Sequence, residues 1–331
     1  MVDTCFFDCD VLFYEETKGK KNNKKLGRGR KLAKPKVRHY LEYLITTTVG
    51  FLLNLLPYSW CMRFGDFLGW VSYRILHIRR KVTLANLKAS FKDKYSIKEL
   101  DRIGLKSYQV IAKSFIDYIL FPSLKSKVLK ITGFEGKENL DKALRESKGA
   151  VLVTGHFGSW ELMGAAISKS GYPTDFLVGE QHNILIDNVM NQYRQLMGIG
   201  IIKMGVAAKG VIKALKNNRF VAMLSDQDAG GDGVIVNFFG MPASTPKGPA
   251  AFALKTKAPI IVGYTVRNQG KVQEIKIEEL IYIEESGNKQ EDIQKLTQIY
   301  TSRLEDYIRK YPDHWFWPHR RWKSTVKELY K

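Results

Sequence analysis

Three short stretches limit what this chain can become. "GAVLVT" (149–154), "RFVAML" (219–224) and "APIIVGYTV" (258–266) are almost wholly apolar and rich in β-branched residues. A strand with one wet face alternates polar and apolar residues, whereas a continuous apolar run is expected where both faces are covered. Between these runs lie helical patterns over Trp160–Ser168 and Ile184–Met197. Strands alternating with helices predict an α/β fold, with a mostly parallel central sheet flanked by helices. Residues 271–283 alternate like a half-exposed strand, and Glu291–Lys310 has helical periodicity.

The chain upstream has a different texture. Two helices are expected between residues 79 and 121. The second opens on Ser96 and Glu99, three apart as in a capping box, and Pro122 closes it. From Tyr43 to Met62, "YLITTTVGFLLNLLPYSWCM", no side chain is charged. That is about the 20 residues a bilayer span requires. Three threonines, Asn54 and Pro57 dilute it, so a helix lying in the membrane interface and a buried core helix remain alternatives.

Before it runs a basic tract, Lys18 to Arg38, with little apolar content, expected to be disordered. The 331 residues carry 53 Lys and Arg against 33 Asp and Glu, a formal charge of +20. Such a balance calls for an anionic partner: nucleic acid, acidic lipid or an acidic protein. Because the tract abuts the uncharged segment, a cytoplasmic-side membrane anchor is the favoured reading, with a solvated tail as the plain alternative. This divides the chain into a basic tail (1–38), a membrane-anchor or interfacial helix (39–62) and a catalytic domain (63–331). Three cysteines, Cys5, Cys9 and Cys61, suggest neither a disulfide framework nor a metal site.

The chemistry is expected at "VTGHFGSWELMG" (153–164). A strand ends, Gly155 and Gly158 permit a tight turn, and Ser159 can N-cap the helix begun by Trp160 and Glu161. Open α/β sheets bind ligands beyond the carboxyl ends of their strands, which is where His156 would sit. Glu161, early in the helix, could fold back to the imidazole and fix its tautomer. No Gly-x-Ser-x-Gly elbow accompanies it, so a base acting directly on a substrate hydroxyl is indicated. A histidine bonded for structural reasons is the competing interpretation.

"GHFGSWE" resembles the His-x4-Asp/Glu signature of glycerolipid acyltransferases, in the form used by the bacterial lipid A late acyltransferases, the lauroyl/myristoyl transferase family. "NLKASFKDKYS", "LSDQDAGGDGVIVNFFGMPASTPKGPAAFALKTKAPIIVGY" and "YPDHWFWPHRRWK" are similar to further segments of that family in the same order, covering roughly residues 40 to 323. The resemblance implies transfer of a fatty acyl group from acyl carrier protein or coenzyme A to a lipid hydroxyl, in lipid A on a 3-hydroxyacyl chain. It implies His156 as base and Glu161 as its orienting partner, no cofactor and no metal, at the cytoplasmic face of a bacterial inner membrane. Asp226 and Gln227 match the family's Asp-Gln pair, and Arg194 matches a basic position near its site. A supporting role is expected for the pair, such as holding a basic partner, while a turn aspartate and a solvated arginine are the plain alternatives.

Backbone amides around Phe157 to Trp160 are candidate oxyanion donors. Arg320 and Arg321, within the aromatic and basic cluster "HWFWPHRRWK", are expected to meet lipid phosphates at the interface, against burial of its tryptophans in the fold. The arginine that family members carry in a Tyr-Arg-Pro-like turn has no counterpart in "FLVGEQHN" (176–183), which puts the acceptor in question and leaves a non-lipid-A acceptor open. A lipid or thioester hydrolase and a nucleic-acid-binding protein are the rival functions, the last not favoured.

Overall fold

The computed structural model describes residues 35–268, 273–282 and 284–331. The acidic leader, Cys5, Cys9 and the basic tract up to residue 34 lie outside them.

The three apolar runs form the middle of a sheet, as β2 (Ala150–Thr154), β5 (Phe220–Leu224) and β8 (Ile260–Arg267). With β1 (Thr132–Glu135), β3 (Thr174–Val178), β4 (Gly200–Lys203) and β9 (Gln273–Ile277), the strand order is β1-β9-β8-β2-β5-β3-β4. Every pairing in it is parallel except β8 with β9. Two-sided burial explains the unbroken apolar runs. Val151 and Val153 point into one core with Val221 and Met223, while Ala150 and Leu152 point into the other with Phe220 and Ala222. A separate antiparallel hairpin joins β6 (Val234–Phe238) to β7 (Met241–Thr245).

Helices cover both faces. The uncharged segment is not one helix. It forms the end of α1 (Val37–Asn54) and the start of α2 (Tyr58–Trp70), separated at Pro57. Among the described residues no helix is long and apolar enough to cross a membrane. The diluting residues have local work: Thr47 donates back to the Tyr43 carbonyl (2.8 Å), and Asn54 donates to the Ile119 carbonyl (3.0 Å) while accepting from the Ser123 amide (3.1 Å). Leu41, Leu44 and Phe51 on α1, Leu55 just after it, and Trp60 and Phe67 on α2 are left exposed, Trp60 by 61%.

Helices α3 (Arg80–Phe91) and α4 (Ile97–Ile119) follow, the latter opened by the expected Ser96–Glu99 capping box. Helix α2 lies tightly on α4 because Cys61, Gly65 and Gly69 recur every fourth residue and are buried. A Cβ on Gly69 would come 2.5 Å from the Gln109 Cα. Pro122 sits near the start of a separate short turn, α5 (Phe121–Leu124). Then come α6 (Lys137–Arg145), α7 (Trp160–Lys169), α8 (Ile184–Leu196), α9 (Ala207–Lys216), α10 (Gly248–Thr256) and α11 (Lys289–Lys310).

Candidate active site

Strands β2 and β5 run side by side with Thr154 opposite Leu224, and the Ser225 amide still donates to the Thr154 carbonyl at 3.0 Å. Two residues further along each strand stand His156 and Asp226. Gly155 lets them approach closely, since a Cβ there would come 3.1 Å from the Asp226 carboxyl. Asp226 Oδ1 lies 2.8 Å from His156 Nδ1, and Oδ2 accepts the His156 backbone N–H and the Trp315 indole N–H, each at 2.8 Å.

Burial by itself would push the Asp226 carboxyl up. The imidazole charge, both His156 hydrogen bonds and the Trp315 indole outweigh it and hold the group down at about 2. An ionised carboxylate can only accept, so Nδ1 carries a proton, and in the singly protonated ring the lone pair is on Nε2. Trp160 meets the ring edge-on, with centroids 5.0 Å apart.

Glu161 is engaged elsewhere. Its carboxylate takes Arg194 of α8 in two hydrogen bonds, 2.6 Å from Nη2 and 3.1 Å from Nε. Arg194 also donates to Asn191 (2.9 Å) and lies over the Tyr118 ring at 5.3 Å. Burial opposes its charge, but the Glu161 carboxylate more than compensates and raises its pKa. Sequence reasoning assigned the nearby carboxylate to the histidine. In space the nearer residue by sequence number faces a guanidinium, and the carboxylate beside the imidazole comes from the neighbouring strand.

The turn itself differs from expectation in two ways. Phe157 and Gly158 already donate to the Gly155 and His314 carbonyls, at 2.7 and 2.8 Å, so neither is an open oxyanion donor. Ser159 occupies the N-cap position of α7 but makes no side-chain cap. Its hydroxyl instead donates to Asp117 Oδ2 at 2.8 Å. The uncapped first turn of α7 therefore keeps N–H groups unsatisfied by its own helix, beside His156.

Gln227 Nε2 comes within 3.5 Å of His156 Nδ1, a position already donated to Asp226, so this is proximity and not a strong bond. Arg321 is fully buried. It donates to the Ser244 carbonyl at 2.5 Å and to Thr245 Oγ1, and burial lowers its pKa to about 10. It ties the closing segment to β7 and is not available to surface phosphates. Arg320 is exposed, 5.9 Å from the Tyr330 ring centre. Trp315, Trp317 and Trp322 are buried among Phe91, Phe238 and Phe239, so the aromatic cluster is core and not an interface. Sequence reading missed His319, which burial keeps uncharged with a pKa of about 3. The loop 179–183 after β3 docks on α1: Asn183 donates to the His39 carbonyl (2.9 Å) and Glu42 (3.0 Å), and His182 packs edge-on to His39.

A buried histidine on a strand-to-helix turn, paired with an ionised aspartate just past the adjacent strand, is an arrangement that can accept and pass on a proton at the carboxyl edge of a parallel α/β sheet. Residues 30–324 match the model of the bacterial lipid A biosynthesis acyltransferases, and the chain belongs to that family. It is similar to a phosphatidylinositol mannoside acyltransferase of Mycobacterium tuberculosis, 26% identical over 198 residues, 58% of this chain and 60% of the relative. The chain thus spans about 60% of the length of the mycobacterial relatives it matches. It is also similar to the Escherichia coli lipid A biosynthesis palmitoleoyltransferase, 24% identical over 274 residues, 81% of this chain and 87% of the relative. A lipid A biosynthesis acyltransferase of Haemophilus influenzae is 22% identical over 194 residues, 58% of this chain and 59% of the relative.

Proposed function

We propose that this protein moves a fatty acyl group from an acyl carrier protein or coenzyme A thioester to a hydroxyl of a membrane glycolipid. His156 Nε2 removes the hydroxyl proton as the oxygen attacks the thioester carbonyl. Asp226 holds the opposite nitrogen and balances the imidazolium formed. The N–H groups at the start of α7 face the developing oxyanion, favoured by the positive end of the helix. When the tetrahedral intermediate collapses, the carbon–sulfur bond breaks and the proton on Nε2 goes to the departing thiolate. Glu161 and Arg194 hold α7 and α8 together around the site. The observation that carries this reading is the His156–Asp226 pair at the carboxyl ends of β2 and β5, in a chain of this family.

The acceptor class follows from the names of the relatives. Phosphatidylinositol mannoside and lipid A are both sugar-bearing lipids, and a lipid A precursor is one candidate among them. The segment 176–183, turned towards α1 and lacking the family arginine, fits a head group with less phosphate.

The exposed apolar sides of α1 and α2 suit a lipid interface in which both helices lie flat, with Trp60 and Trp70 at headgroup depth and the exposed Arg63 on the same helix. In this reading residues 63–331 are the acyltransferase unit, working on the cytoplasmic side of the bacterial inner membrane. Basic residues before α1 would add affinity for anionic lipid, and an acidic carrier protein would be drawn to the same charge. The deciding experiment is lipid mass spectrometry of cells carrying the wild type or His156→Ala. A lipid lighter by one acyl chain in the variant is expected, and an unchanged lipid profile counts against the reading. In vitro, ester-linked product must exceed free fatty acid when acceptor is present, or a hydrolase is the better description.

A further inference from the structure

Besides Asp226, a second buried network holds the turn that carries His156, and no part of the acyl-transfer chemistry uses it. Asp117, wholly enclosed near the end of α4, accepts four donors. Oδ2 takes the Ser159 hydroxyl (2.8 Å), Gln273 Nε2 (2.8 Å) and an Arg267 Nη2 hydrogen bond, and Oδ1 takes the Tyr58 hydroxyl (2.7 Å). One helical turn earlier, Ser114 donates to the Gly158 carbonyl at 2.7 Å. Two residues of α4 therefore grip Gly158 and Ser159, two of the three residues that join His156 to α7.

The other end of the network is the first residue of α2. Tyr58 directly follows the Pro57 break, and Arg267 Nη1 reaches both its hydroxyl (3.3 Å) and Met62 Sδ (3.2 Å). Burial, and after it the Asp117 charge, pushes the Tyr58 pKa up, so its hydroxyl keeps the proton it donates. Gly69 packs directly on the α4 backbone at Tyr108 and Gln109, and Gly65 rests on the Lys113 and Ile116 side chains, so the two helices are closely seated. A shift of α2 must then move α4 or break the Tyr58–Asp117 bond.

We infer that Asp117 is a positioning residue: it fixes the turn carrying His156 to the first turn of α2, so that the geometry of the catalytic turn depends on how the α1–α2 apolar face is seated. This deepens the acyltransferase reading and rests on it for its kinetic consequence. Ser159 is the joint between the two. Its hydroxyl, turned to Asp117, leaves the α7 amides uncapped and aims that helix end. A displacement of about 1 Å in such a turn can cost up to 100-fold in rate.

The test uses the full chain and two cuts on opposite sides of one carboxylate, Tyr58→Phe and Ser159→Ala, with Asp117→Asn as the central cut. Amide hydrogen exchange of segment 155–161 is followed by mass spectrometry, with and without phosphatidylglycerol vesicles. In all three variants that segment should exchange about tenfold faster without lipid, through local opening. Vesicles should slow exchange there in the wild type and not in Tyr58→Phe, although both sediment equally with lipid. If Tyr58→Phe leaves exchange in 155–161 unchanged, the inference is overturned. An Asp117→Asn variant that fails to fold does not decide the matter, because the two flanking variants do. In acyl transfer, kcat should fall about tenfold with KM for the thioester unchanged. A change confined to KM would count against positioning. Absence of any acyl transfer by the wild type would defeat the proposed function, while the exchange result would still decide the coupling.

Discussion

Asp226 stands 70 residues beyond His156 and grips it twice, with Oδ1 at the ring and Oδ2 at the backbone N–H. One carboxylate thereby fixes both the tautomer of the imidazole and the path of the chain that bears it. The first expectation follows from removing the ring. His156→Ala should lower acyl transfer by about 10²- to 10⁴-fold, the span of general-base assistance, with the fold intact by circular dichroism.

Asp226→Asn tests the partner. An amide can donate to Nδ1, which permits the wrong tautomer, so kcat should fall by as much as His156→Ala allows while thioester binding survives. Rates measured across pH and calorimetric binding of a thioester analogue separate the two effects.

The same group makes stability depend on acid. Its folded pKa is about 2 against 3.8 for a free aspartate, so the unfolded chain takes up the proton first as pH falls. The contribution, on the order of 2 kcal/mol, is complete above about pH 5 and disappears as pH drops through about 2. Urea midpoints of wild type and Asp226→Asn should converge towards the low end of that window. A constant gap would show that the carboxylate is not held ionised.

The Glu161–Arg194 pair predicts a different pattern. Arg194→Met alone strands a buried carboxylate and should cost about 3 kcal/mol or more. Combining it with Glu161→Leu should recover much of that loss, read as a melting temperature nearer the wild type than either single variant. Additive losses would mean that the pair is not the source of the stability.

For the lipid-facing surface, Phe64→Glu with Phe67→Glu should weaken sedimentation with phosphatidylglycerol vesicles by at least about tenfold, leaving the melting temperature almost unchanged, because both side chains are exposed. Gly69→Ala should do the reverse. Its Cβ would strike the Gln109 backbone, so destabilisation of about 2 kcal/mol is expected.

What the sequence by itself determined is the local and the periodic. Unbroken, β-branched apolar runs at 150–154, 220–224 and 260–266, alternating with helical patterns, are expected of strands covered on both faces, and they form the mostly parallel middle of the sheet. The capping box at Ser96 and the glycine-bounded histidine turn were legible for the same reason: their partners lie within a few residues. Tertiary structure decided which carboxylate reaches which cation. Register between β2 and β5 brings Asp226 to His156 across 70 residues, and helix α7 turns Glu161 towards Arg194 on α8. It likewise buried Arg321 and the tryptophans of the closing segment, and it split the uncharged stretch at Pro57 into two helices. Spacing along a chain reports neighbours only while one element lasts. Beyond that, pairing is set by how whole strands and helices pack, and a hydrogen bond of 2.8 Å depends on that packing.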